Sequence, residues 1–61
     1  MDYRARIRQR CDWLLASLVG ADLVEDWWQS PNRHWSGQRP ADVFETHPQD
    51  VLDYLMYYAL K

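Results

Sequence analysis

Every proline and glycine of this 61-residue chain falls between stretches of helical apolar spacing: Gly20, Pro31, Gly37, Pro40 and Pro48. Proline cannot supply the backbone donor of a helix interior, and glycine favours turns and the ends of helices. The five positions therefore cut the chain into helices of limited length. No stretch alternates apolar and polar residues as a half-buried strand does. The expected fold is all-α: one domain over residues 1–61, a compact bundle of about three to four short helices with a Pro/Gly-braced loop in the middle.

The segments between the breakers carry their own signals. Tyr3, Ile7, Cys11, Leu14, Leu15 and Leu18 recur at helical spacing and predict a helix from about Tyr3 to about Val19. Asp2 suits its N-cap and Gly20 its stop. Arg8 and Asp12, four apart, can pair for a few tenths of a kcal/mol. Leu23, Val24, Trp27 and Trp28 give an apolar face to a second helix from about Ala21 to Gln29, with Trp27 as its core anchor. Ser30 precedes Pro31 and is biased away from helix. Asn32 to Arg39 reads as a loop. In it Asn32 bonds nearby backbone and Gly37 takes a conformation that other residues resist. Pro40 opens a short helix to about Glu45, anchored by Val43 and Phe44, and Pro48 opens the last, running to about Leu60. Val51, Leu52, Leu55 and Ala59 form the inner stripe of that last helix, while Tyr54 and Tyr57 lie on another side with Asp50 and Asp53.

A domain this small buries a modest share of its surface and usually leans on a disulfide, a metal, oligomerisation or dense packing. Cys11 is the only cysteine, so no intrachain disulfide forms. Cys11, His34 and His47 are the only soft ligands and stand at no paired metal-ligand spacing, so neither metal nor cofactor is expected. Four Trp, four Tyr and one Phe exceed what so small a core can enclose, so some of these rings are expected at an interface. That makes a protein the expected partner, with a homodimer as one alternative.

Charge is distributed unevenly. Arg4, Arg6, Arg8 and Arg10 stand in the first ten residues against Asp2, and from Asp12 onward acids dominate, for a net charge of −2. That balance argues against nucleic acid as the partner, with the arginine helix kept as a second alternative. No apolar run nears the roughly 20 residues that span a bilayer, and the N-terminus makes a poor signal peptide. No membrane partner and a cytoplasmic location are expected. His34 and His47 have no nucleophile or convergent acid cluster beside them, and Cys11 lies on a core stripe, so no enzymatic activity is expected.

The run Trp27-Trp28-Gln29-Ser30-Pro31-Asn32, then Gly37-Gln38-Arg39-Pro40, then Val43-Phe44, resembles the C-terminal toxin-binding domain of the Xre/MbcA/ParS antitoxin family. Leu18 to Asp22 resembles the turn before that domain's short helix, and Val51 to Leu60 its final helix. The likeness covers roughly residues 11–60. In it Trp27, Pro31, Asn32, Gly37 and Pro40 are structural motif residues. Trp28 stands where the family usually has Leu, and Ala59 where many members have Gly. The resemblance implies an antitoxin-like inhibitor, of bacterial or phage origin, that docks on a NAD-consuming RES-type toxin or on another host enzyme. The expectation is a stand-alone copy without the family's helix-turn-helix domain.

The resemblance also implies a contact surface near the last helix and its end, making Tyr54, Tyr57, Tyr58 and Lys61 partner-binding candidates. Trp13 points well over 100° away from its helix's stripe, at about 100° per residue. It is either a partner hot spot or a cover for the 30s loop of its own chain. Trp35 carries the same two readings, with closure of the fold favoured.

Overall fold

In the computed structural model, which describes residues 2–61, the chain is all-helical. Helix α1 spans Tyr3–Leu18, α2 Val24–Gln29, α3 Pro40–Thr46 and α4 Pro48–Ala59. Two short 3-10 turns, Ala21–Leu23 and Arg33–Trp35, join them.

Local chemistry sets each boundary. The Asp2 carboxylate accepts from the Arg4 backbone N–H at 3.0 Å and caps α1. Val19 closes α1 with its N–H on the Leu15 carbonyl, and Gly20 then takes φ 99°, which a side chain would resist. The second segment is not one continuous helix as its spacing suggests: Ala21–Leu23 is wound as a 3-10 turn before α2 begins. Ser30 ends α2 in extended backbone before Pro31, with its hydroxyl donating to the Asp26 carbonyl at 2.7 Å.

Asn32 organises the loop with both its backbone and its side chain. The side-chain oxygen accepts from the His34 N–H at 2.8 Å. Its carbonyl accepts from the Trp35 and Gly37 N–H groups, and its own N–H donates to the Gln38 carbonyl. Ser36 and Gly37 sit consecutively at φ 57° and 87°, which turns the chain back toward α3. Arg39 clips the loop's exit: its guanidinium reaches both Asp42 carboxylate oxygens at 2.9 Å and Gln29 at 2.7 Å. That pairing holds the Asp42 carboxyl below its ordinary range.

Helices α1 and α4 form the broadest contact of the fold and run parallel. Tyr3 meets Gln49 through a 3.2 Å hydrogen bond where both helices begin, and Trp13 shares a groove with Met56 and Leu60 further along. Ile7, Cys11 and Leu15 of α1 pack with Val51, Leu52 and Leu55 of α4, with Val43 and Phe44 of α3, and with Trp28. The two ends of the predicted α1 stripe, Tyr3 and Leu18, are exposed. The stripe outruns the width of the bundle it packs against.

One core assignment is corrected. Trp28, not Trp27, is the wholly buried ring of α2, and Trp27 is half-buried at the core's edge. Only six residues long, α2 has too short a pattern to fix which of two adjacent rings points inward. Packing decides it: Trp28 lies edge-on to Phe44 at 5.4 Å, and its indole N–H donates to the Asp12 carboxylate at 2.7 Å. Burying an indole removes about 150–250 Å² from water, an upper figure of roughly 4–6 kcal/mol. The donor is satisfied, so little of that gain is offset.

Candidate protein-docking surfaces

Helix α4 carries the surfaces, because its buried stripe leaves two apolar flanks. At about 100° per residue, Met56 and Leu60 fall to one side of Leu52, and Tyr54 and Tyr58 to the other side of Val51. The first flank meets α1 and the second meets the 30s loop.

On the loop side, Tyr54 is the hub of a ring cluster. Its centroid lies 4.6 Å from His34, 4.8 Å from Trp35, 4.9 Å from Tyr58 and 6.3 Å from Trp27. Trp27 also meets Trp28 edge-on at 5.2 Å, which ties the cluster to the core. Tyr54 and Trp35 are half-buried, and together they hold the loop against α4. Tyr57 and Tyr58 form the outer part of this face, 63% and 46% exposed, with their rings edge-on at 5.2 Å. The Lys61 ammonium lies 5.6 Å from both ring centroids. Asp50 and Asp53 rim the same cleft as His34, Trp35 and the three tyrosines.

The structure thus brings five predicted residues onto one side of the molecule: Trp35, Tyr54, Tyr57, Tyr58 and Lys61. It divides them by burial into a bracket, Trp35 with Tyr54, and an outward surface, Tyr57, Tyr58 and Lys61. Trp13 lies elsewhere. It is 74% exposed and lines a groove with Arg10, Leu14, Leu52, Met56 and Leu60, so it does not cover the 30s loop. Met56 and Leu60 escaped the reading of the sequence. Their signal was present in the i, i+4, i+8 series Leu52, Met56, Leu60, which drifts off the inner stripe rather than following it.

The four N-terminal arginines have separate fates. Arg4 pairs with Glu45, on its carboxylate at 3.6 Å and on its backbone carbonyl. Arg8 lies 4.0 Å above the Trp28 ring and reaches Asp12 at 3.3 Å and Glu25 at 3.7 Å. The expected Arg8–Asp12 pair is therefore one side of a triangle whose third member is the buried indole. Arg6 and Arg10 enter no ion pair among the described residues.

The remaining reactive groups stay dispersed. Cys11 is wholly enclosed, and burial, helped by the Asp12 charge and opposed by Arg8, pushes its thiol up to about 12. Thiolate is the nucleophilic form, so the folded chain is expected to resist Ellman's reagent at pH 8 and to react at the rate of global unfolding. The fold favours the neutral thiol, so this contribution to stability is complete below about pH 9 and is lost as pH rises toward 12. Labelling of the native protein as fast as of the urea-unfolded chain would contradict this. His34 and His47 line one shallow cleft with Thr46 and Asp50, and the His47 ring meets the Thr46 hydroxyl at 2.8 Å. Among the described residues no three His, Cys, Asp or Glu side chains are grouped to hold a metal ion, and no helix is long and apolar enough to cross a membrane. Family models, curated proteins and solved structures give no match to this chain.

Proposed function

We propose that this chain is a protein-binding module of the antitoxin kind, which acts by docking the end of α4 on another protein. The partner to test first is a RES-type toxin, with other host enzymes next. One observation carries the reading: Tyr57 and Tyr58 stand exposed side by side at the end of α4, beside Lys61, on a platform braced by Tyr54. Tyrosine supplies large contact area at low entropic cost and is enriched where partners meet. Solubility gives no reason to display two adjacent rings at a helix end. The resemblance of the Trp27–Phe44 segment to the antitoxin domain points to the same end of the chain.

The test is binding to a RES-type toxin, read together with the toxin's NAD consumption. The chain is expected to bind it and slow that consumption. The doublet Tyr57→Ala/Tyr58→Ala is expected to weaken binding at least about tenfold, in the range of interface hot spots. Because both rings are exposed, its circular dichroism should match that of the parent. Absence of binding would remove the antitoxin reading. Unchanged affinity of the doublet would remove the docking surface.

A further inference from the structure

The groove between α1 and α4 lies apart from the tyrosine face and has a different chemistry. Leu14, Leu52 and Met56 line its floor, and Trp13 and Leu60 stand as its walls, 74% and 79% exposed. It continues along the seam past Arg10 and Arg6 to Tyr3 and Gln49. From Tyr3 to Trp13 the helical rise gives it a length of about 15 Å. Among the described residues no acidic one lines it. Its two cations, Arg6 and Arg10, are the arginines of α1 left out of the ion pairs with Asp12, Glu25 and Glu45. An apolar channel with one unneutralised sign of charge along its rim attracts the opposite sign.

We propose that this groove is a second docking site, and that its occupant is an acidic amphipathic helix of another protein. About three turns of helix match its length, and apolar residues at i, i+3/i+4 and i+7 would enter between Trp13 and Leu60. Carboxylates beside them would meet Arg6 and Arg10. A two-fold copy of the same chain fits worse, because an isologous contact sets the Arg6 and Arg10 rim against itself with no acid in the groove. A bilayer fits worse, because the channel is recessed between two helices and the chain's net charge is −2.

The experiment titrates the full chain, labelled for NMR, with two helical peptides that share a leucine stripe. One carries glutamates beside the stripe and the other carries lysines. The glutamate peptide is expected to shift the Trp13 indole and Met56 methyl signals, leave Tyr57 and Tyr58 unmoved, and bind several-fold more weakly as salt is raised. Trp13→Ala should weaken it at least about tenfold while the circular dichroism is unchanged. The doublet Arg6→Glu/Arg10→Glu should reverse the preference toward the lysine peptide. The proposal is overturned if neither peptide binds, if both bind equally, or if the shifts fall on the tyrosines. It is overturned equally if sedimentation finds a dimer that Trp13→Ala dissociates, or if anionic phosphatidylglycerol vesicles shift Trp13 where the glutamate peptide does not. None of these outcomes removes the binding of a toxin by Tyr57 and Tyr58, which is read from the toxin itself, so the two readings fail separately.

Discussion

Trp28→Ala is expected to leave the chain largely unfolded at room temperature. Replacing a buried aromatic by alanine costs about 3–5 kcal/mol, and a native domain holds roughly 0.05–0.15 kcal/mol per residue in total. For 61 residues the loss is of the same size as the whole. The site has little means to collapse. Trp28 is fully enclosed, Phe44 meets it in a T-shaped contact, and Arg8 covers it from α1. Urea titration followed by far-ultraviolet circular dichroism measures the effect. The contrast is Trp13→Ala, on an exposed helix face, expected within about 0.5 kcal/mol of the parent. Trp28→Phe should fall between them. It keeps a ring against Phe44 but strips Asp12 of the indole donor, and that carboxylate is half-exposed and recovers water. A Trp28→Ala protein as stable as Trp13→Ala would refute the view that this indole organises the core.

Tyr54→Ala is expected to cost about 2–4 kcal/mol and to release the 30s loop before the rest of the fold opens. The ring is half-buried, so its transfer contribution is smaller than that of Trp28, but it meets four other rings at once. Without it, His34 and Trp35 lose the surface of α4 that they rest on. Amide exchange should quicken in residues 32–39 first, while α1 and α4 stay protected. Tyr54→Phe should be nearly neutral, because among the described residues the hydroxyl makes no hydrogen bond. Uniform exchange in Tyr54→Ala, with no early opening of the loop, would show that Tyr54 is not its bracket. The result also decides how partner binding is read. A loss of affinity in Tyr54→Ala reports a disordered platform, whereas the same loss in Tyr57→Ala reports a contact.

Much of the fold was legible in the residues because the signals were local. Asp2 as a cap, Gly20 as a stop, Ser30 before Pro31, and Pro40 and Pro48 as helix openers act through groups within a few positions, and each stands where its chemistry puts it. Long stripes were also readable: Val51, Leu52 and Leu55 face inward over enough turns for spacing to define a side. The short second helix was not. In six residues, Trp27 and Trp28 differ by one position, and periodicity cannot rank them. The candidate surface was legible as a list of tyrosines, but not as a division of labour. Tyr54 and Tyr57 share a helix face by spacing, yet only the loop folding back on Tyr54 makes one a bracket and leaves the other outward.

Sequence alone determined the all-α class, a count of about three to four short helices and most of their breaks, because capping, proline geometry and helical spacing need no knowledge of what lies across the molecule. The tertiary structure decided which indole is sealed, which arginines are neutralised, and that Trp13 joins Met56 and Leu60 in one groove. Those outcomes depend on contacts between residues far apart in the chain, such as Asp12 with Trp28 and Arg4 with Glu45. Burial and charge pairing are properties of a neighbourhood, and only packing the helices together creates that neighbourhood.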